Sequence, residues 1–386
     1  MSMVYPYLRG FLTAALLVVL SMLVVVNMPS AAFASATSTQ TITSSGSIHS
    51  FKTCITIWGI SGALSESYLQ FLAKFDMVNT DFRVSNIDSL RQLNPDVIVL
   101  GYRDMALMSD ALPDWPEVNR HEAWFYHFTN GSRVVWRNIG GYGYNNYLMN
   151  PGNQDWRNYF TSFMKQAIVG AGMDGIFIDD VWSSFGWPDI YGITVPTYPG
   201  DYHQVVTDFL RYVKTQFSPN LVVFNGPDDF DYPMACDGKF GENFLTMIDT
   251  FKDINALSNL SGAGKYYIAF GRDIGQQMMT YCLSGFLLAV NGPNAYFSQG
   301  DFFATGTGFG GWYPEFETAQ AIGSPTNAYY IFQSVYTRDF TNGKVLFNPT
   351  GNSFTVHFQG TYKLLNSVAI TKIVVPPYSG AILLLS

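Results

Sequence analysis

Three extended apolar runs end in carboxylates: one at Asp104, one at the pair Asp179–Asp180, one at Glu242. A further acid, Asp301, lies just past another such run. Strand parity sorts the pair. In Gly175–Asp179 the side chains of Ile176 and Ile178 share one face, while Gly175, Phe177 and Asp179 share the other. If the isoleucine face packs under helices, Asp179 stands at the open end of a buried strand. Asp180 sits where the strand ends, either as a second group at the mouth or as a cap for the next turn. Two carboxyl groups across a glycosidic bond can cleave it. One ionised group attacks or supports the anomeric carbon, and one protonated group gives its proton to the departing oxygen. Glu242 is the expected partner of Asp179. Its alternative reading is a loop carboxylate that caps a helix or pairs with Lys239.

Other hydrolytic chemistries lack their residues. The sequence contains no G-x-S-x-G elbow and no H-E-x-x-H helix. The five histidines, His49, His121, His127, His203 and His357, lack ligand spacing, so neither metal nor cofactor is expected. Cys54, Cys236 and Cys282 show no C-x-x-C spacing; they allow at most one disulfide, or three buried thiols. The glycine-rich stretch Gly306–Gly311 is followed by Trp312-Tyr313-Pro314, which starts a helix poorly. It reads as a flexible loop rather than a dinucleotide-binding turn.

Composition points to an uncharged ligand. Net charge is −8 without any Lys/Arg run, so a nucleic-acid backbone finds no basic footprint. Charged residues make up only 13% and aromatics 16%, and flat aromatic faces suit the C–H faces of sugar rings. Around the expected mouth, Trp58, Tyr102, Arg103, Asp180, Trp182, Asn225, Arg272 and Asp273 are the candidate substrate-binding residues. Each also has a plain packing or salt-bridge reading.

Stepping along the chain, strands at Thr53–Gly59, Met77–Phe82, Asp96–Tyr102, Gly175–Asp179, Asn220–Gly226, Lys239–Phe244, Tyr266–Gly271 and Ala295–Gln299 alternate with helical stretches. Eight β–α repeats predict an α/β fold, a (β/α)₈ TIM barrel over residues 51–328. Barrel enzymes carry their chemistry at the C-terminal ends of the strands, where these acids fall. The segment from Arg103 to Asn153 is too long for an ordinary connection and reads as a functional loop. Short β-prone runs at Val345–Asn348, Phe354–Phe358, Ile370–Val375 and Ala381–Leu385 predict a small C-terminal antiparallel β-sandwich over residues 329–386.

Before the barrel, Arg9 precedes an uncharged apolar run at residues 11–26, with small residues at Ala32–Ala36. This predicts a signal peptide over residues 1–36, cleaved near Ala34 or Ala36, or a retained membrane anchor. Residues 37–50 form a Ser/Thr-rich linker. Both readings expect a secreted protein, or one held on the outer face of the membrane.

Three patches resemble known proteins. Asp174–Asp179 is similar to the D-G-[apolar]₃-D signature on the fourth strand of barrel glycosidases, among them the α-galactosidase-like superfamily and its uncharacterised glycosyl-hydrolase-like relatives. Arg338–Pro349, R-D-F-T-N-G-K-V-L-F-N-P, looks like the entry to their C-terminal sandwich, and Pro376–Leu384 looks like its closing strand. The resemblance implies that Asp179 is the nucleophile. It implies an acid/base carboxylate at the end of the sixth strand, which matches Glu242 by strand count alone. The expected function is hydrolysis of O-glycosidic bonds in an extracellular poly- or oligosaccharide, with retention. The alternatives are a non-catalytic carbohydrate-binding or envelope protein on the same barrel, and a transglycosidase.

Overall fold

The computed structural model describes residues 51–137, 143–184, 193–227, 231–245, 249–272, 275–300, 308–364 and 368–386. The expected signal segment, the linker, Asp273 and Asp301 lie outside them. In chain order come β1 (Cys54–Ile57), β2 (Met77–Asp81) and β3 (Ile98–Asp104). An insert follows, formed by β4 (Leu107–Ser109), β5 (Val135–Arg137) and β6 (Asn145–Leu148). Then come β7 (Gly175–Asp179), β8 (Leu221–Asn225), β9 (Gly238–Gly241), β10 (Tyr266–Gly271) and β11 (Ala295–Gln299).

β1, β2, β3 and β7 to β11 are parallel neighbours in that order. The ends meet at the base: Phe297 N donates to Lys52 O at 2.9 Å, and Thr53 bridges Phe297 in parallel. Higher up, β12 (Gly308–Phe309) pairs antiparallel with β1. The flexible-loop reading of Gly306–Gly311 therefore gives way at Gly308–Phe309. An edge strand of two residues is too short to show a side-chain period.

A strand buried on both faces reads as an almost continuous apolar run, as these do. Alternate residues divide between two cores. Cys54, Leu100, Phe177, Val223, Phe240, Ile268 and Phe270 fill the barrel interior. Ile55, Val78, Val99, Ile176, Ile178, Val222 and Phe224 pack outward under the helices. Each such Ile or Phe contributes about 1.5–3 kcal/mol relative to exposure.

The helices are α1 (Glu66–Leu72), α2 (Ile87–Leu93), α3 (Trp115–Val118), α4 (Gln154–Gly170), α5 (Tyr202–Phe217), α6 (Asp231–Ala235), α7 (Thr250–Gly262), α8 (Gln276–Ala289) and α9 (Pro314–Ala321). Their starts are written locally. Asn153 accepts from Trp156 N at 3.0 Å to open α4, and Asp201 accepts from Gln204 N at 3.1 Å to open α5. Past the end of α4, Gly172 takes φ +70°, a conformation that glycine adopts without strain. α7 opens at Thr250, where Asp249 caps it by accepting from Lys252 N at 3.1 Å.

The long segment after β3 is not a bare loop. β4, β6 and β5 pair antiparallel and enclose a small core of Ala106, Val134, Trp136 and Leu148.

The C-terminal region comprises β13 (Tyr330–Phe332), β14 (Val335–Phe340), β15 (Gly343–Asn348), β16 (Phe354–Lys363), β17 (Ala369–Val375) and β18 (Ser379–Leu385). All six belong to one antiparallel sheet, in the order β13-β14-β15-β18-β16-β17. The expected sandwich is thus a single sheet curled over on itself. Gln333, in the turn after β13, exchanges two hydrogen bonds of 2.9 Å with the backbone of His357 on β16. One face gathers Val335, Leu346, Val356, Val375, Ala381 and Leu383. The other sets Val345 and Phe347 against Phe286 and Leu283 of α8. Arg338, fully buried, donates through Nη1 to Leu287 O, Leu288 O and Val290 O at the end of α8. The R-x-F-x-N-G patch is therefore a clamp between the sheet and the barrel.

Candidate active site

The parity that fills the barrel also selects what stands at its mouth. Trp58 follows β1 on the face of Cys54, Tyr102 shares the face of Leu100, Asp179 that of Phe177, Asn225 that of Val223, and Glu242 that of Phe240. Below them lies an aromatic floor. Tyr102 stacks on Phe177 with ring centroids 6.0 Å apart, and Phe177 meets Phe240 edge-on at 5.4 Å. Trp58 leans toward Tyr102 at 6.2 Å.

Asp179 accepts three hydrogen bonds. Tyr102 Oη donates to Oδ2 at 2.5 Å, while Asn225 Nδ2 and the Asp180 N–H donate to Oδ1 at 3.0 and 2.9 Å. The same Asn225 Nδ2 donates to Glu242 Oε2 at 2.9 Å. One amide nitrogen therefore joins the two carboxyl groups, and the bridged oxygens stand no more than about 6 Å apart. Arg272 Nη1 is 3.8 Å from Glu242 Oε1 and donates to Asn243 Oδ1 at 3.1 Å. Burial pushes the Glu242 carboxyl above its ordinary range; the Asn225 hydrogen bond opposes this and the Asp179 charge adds to it. Burial, reinforced by the Asp179 charge, holds the Tyr102 phenol well above its usual range, so it stays a donor.

Behind this trio, Asp180 adopts φ +53°, rare for a residue with a side chain. Its Oδ1 accepts from Trp182 Nε1 at 3.3 Å. Its carboxyl is in hydrogen-bonding contact with that of Asp104, whose Oδ1 also accepts from Ala106 N and Leu107 N at 2.8 and 2.7 Å. Burial first, and then the neighbouring Asp179 charge, raise Asp180 to about 7. Asp104 is raised well above the carboxylate range, by burial and then by the Asp180 charge.

Arg103 is a correction. Its strand parity is opposite to that of Tyr102, so it points under the helices. There it pairs with Asp114 at 2.9 Å, both side chains 2% exposed, between the rings of Phe82 and Phe163. Trp182 packs partly against the insert core. Asp104, which the sequence marks only as a strand-end acid, shares the parity of Leu100 and Tyr102 and also stands at the mouth. His121 stacks on Trp124 at 3.9 Å, and His127 meets Glu122 at 2.7 Å. Among the described residues, no group of three His, Cys, Asp or Glu is placed to hold a metal. Cys54, Cys236 and Cys282 are all buried free thiols.

A nearly closed eight-stranded parallel barrel with paired acids at its C-terminal mouth defines a glycosidase-like barrel protein. Residues 91–344 match the model described as Hypothetical glycosyl hydrolase family 15, and the chain belongs to that family. No curated protein matches the sequence. Among solved structures it is similar to an isomalto-dextranase from Arthrobacter globiformis complexed with panose: TM-score 0.50, 13% identity, covering 87% of this chain and 72% of that one. It is also similar to an alpha-amylase from Malbranchea cinnamomea: TM-score 0.50, 8% identity, covering 86% and 96%. A maltogenic alpha-amylase from Thermotoga neapolitana matches at TM-score 0.49 and 14% identity, covering 81% and 91%. At these identities the likeness is one of fold.

Proposed function

We propose that this protein is a retaining O-glycosidase, with Asp179 as nucleophile and Glu242 as acid/base. The carrying observation is the Asn225 amide shared by the two carboxyl groups. Retaining enzymes hold their carboxyl groups about 5–5.5 Å apart, whereas inverting ones need about 6.5–9.5 Å to admit a water. The bridged spacing favours the first.

In this reading a sugar lies over Tyr102 and beside Trp58. Asp179, held by Tyr102 and Asn225, attacks the anomeric carbon as Glu242 protonates the leaving oxygen. A covalent glycosyl-enzyme forms. Glu242, now ionised, removes a proton from the water that hydrolyses it, and both groups return to their starting states. The raised Glu242 suits the acid step, because it keeps the proton at a pH where Asp179 must be ionised.

The substrate class is an extracellular poly- or oligosaccharide. Export rests on the apolar run at residues 11–26 and the Ser/Thr-rich stretch after it. The test is a polysaccharide panel scored for new reducing ends, with the anomer of the first product read by proton NMR. Asp179→Asn should abolish release while circular dichroism stays unchanged. Full activity in that variant ends the nucleophile assignment, and an inverted first product ends retention.

A further inference from the structure

We propose that Asn225 is a specificity-determining residue whose side-chain oxygen accepts a hydrogen bond from the C2 hydroxyl of the sugar being cleaved, so that the substrate is a pyranose unsubstituted at O2. This rests on the glycosidase reading and adds to it the atom that recognises the sugar.

The Asn225 amide has one orientation. β8 lies between β7 and β9, and Asn225 ends it on the face that lines the barrel. Its backbone is tied to the exit of β7, where Val181 N donates to Asn225 O at 3.1 Å. Nδ2 carries two hydrogens, and both are committed: one to Asp179 Oδ1 at 3.0 Å, the other to Glu242 Oε2 at 2.9 Å. Turned over, the amide would set its oxygen against Asp179 with no hydrogen to offer. Oδ1 is therefore held in one place. Among the described residues it has no hydrogen-bond partner, and it is not closed off from solvent. A carbonyl oxygen with open lone pairs, fixed at the mouth beside the nucleophile, is an acceptor for a ligand hydroxyl.

The lone pairs of Asp179 narrow the choice of donor. Its Oδ1 accepts from Asn225 Nδ2 and from the Asp180 N–H at 2.9 Å, which occupies both in-plane lone pairs. Its Oδ2 accepts from Tyr102 Oη and keeps a second lone pair. Oδ2 is thus the atom that bonds to the anomeric carbon, while Oδ1 is filled and takes no hydroxyl from the sugar. In the ring, the anomeric carbon is flanked by O5 and C2. O5 carries no hydrogen, so the C2 hydroxyl is the nearest donor that can meet Asn225 Oδ1.

In the step itself the Oδ2–C1 bond forms, the bond from C1 to the leaving oxygen breaks, and the Glu242 proton passes to that oxygen. Positive charge gathers on C1 and O5 and makes the C2 hydroxyl a stronger donor. The bond to Asn225 therefore tightens in the transition state. A sugar without that hydroxyl, or with a substituent on O2, forfeits the bond.

The test pairs a change in the substrate with a change in the protein. The probes are 4-nitrophenyl α- and β-glycosides of glucose, mannose and galactose and their 2-deoxy counterparts, each also lengthened by one sugar residue. Wild type should favour the hydroxylated member of the pair it cleaves by about tenfold or more in kcat/KM, although acid alone hydrolyses the 2-deoxy compound faster. In Asn225→Ala both rates should fall and the preference should shrink to about twofold or less. Asn225→Asp keeps an oxygen in the place of Oδ1, so it should be slow yet retain the preference. Circular dichroism checks that each variant is folded. A purely structural role for Asn225 would slow both substrates alike, so an undiminished preference in Asn225→Ala overturns the proposal. A wild type indifferent to the C2 hydroxyl overturns it without any variant. Failure of the glycosidase reading would show separately, as a wild type that cleaves none of the probes or as Asp179→Asn with full activity.

Discussion

Tyr102 stands one strand away from Asp179 and gives its hydroxyl hydrogen to Oδ2 at 2.5 Å. The two residues come from neighbouring strands with β3 and β7 in parallel register, Asp104 opposite Asp179. That bond holds the carboxylate still. A hydrogen bond to a charged group is worth about 1.5–3 kcal/mol. Tyr102→Phe should therefore lower kcat/KM by roughly 10- to 100-fold. The ring remains on Phe177, so the thermal midpoint should move little. Unchanged kinetics in this variant would remove Tyr102 from the site.

Proton balance gives a second expectation. Glu242, Asp104 and Asp180 are all raised in the fold. In the unfolded chain they return to about 4. The folded protein thus holds more protons between the two values, and the stability from these groups is full below the unfolded pKa. It is lost as pH rises through the folded values, about 7 for Asp180. The thermal midpoint should fall between about pH 5 and about pH 8, and Asp180→Asn should flatten that fall. Turnover should decline on the alkaline side as Glu242 loses its proton. Glu242→Gln should lose roughly 100- to 10,000-fold on unactivated glycosides, and much less on aryl glycosides whose leaving group needs no proton. Equal losses on both substrates would count against Glu242 as the acid.

Gly226 closes the exit of β8 against Val181. Its replacement by alanine puts a methyl 2.2 Å from a backbone oxygen, which no rotamer can relieve. Gly226→Ala should destabilise by about 1–3 kcal/mol. It should also cost activity, because Val181 carries Asp180 with it. Differential scanning calorimetry beside turnover would show both, and an alanine variant normal in both respects contradicts the close packing.

Arg338 is a buried cation whose pKa falls to about 10 through burial alone. Besides its three carbonyls at the end of α8, Nε donates to Asn327 O at 2.9 Å. Arg338→Ala would leave these acceptors buried without a donor, at a cost of about 2–4 kcal/mol. Urea unfolding should show the loss, and specific activity per folded molecule should hold. A midpoint equal to wild type would mean the clamp carries no stability.

Some of this architecture is legible locally. Period-two alternation in GIFID separates Ile176 and Ile178 from Phe177 and Asp179, and the cores divide the same way. On β3 the same alternation turns Arg103 away from the mouth, toward Asp114, and keeps Asp104 on the side of Tyr102. β13, β14 and β12 were not anticipated. β12 is only two residues long, and β13 and β14 have their outward positions exposed or paired across the sheet, leaving a weak pattern.

The order of strands, the number of β–α units and the face on which each acid lies were set by residue type and period, because burial on two sides imprints itself on every strand. Which acids meet was a matter of three dimensions. The Asn225 bridge joins residues 46 and 17 positions apart in the chain. The left-handed turn at Asp180 falls between Asp179, hydrogen-bonded to Met105 after β3, and Val181, hydrogen-bonded to Asn225 of β8. No local pattern records such distances, because they follow from ring closure and from side chains converging on one axis.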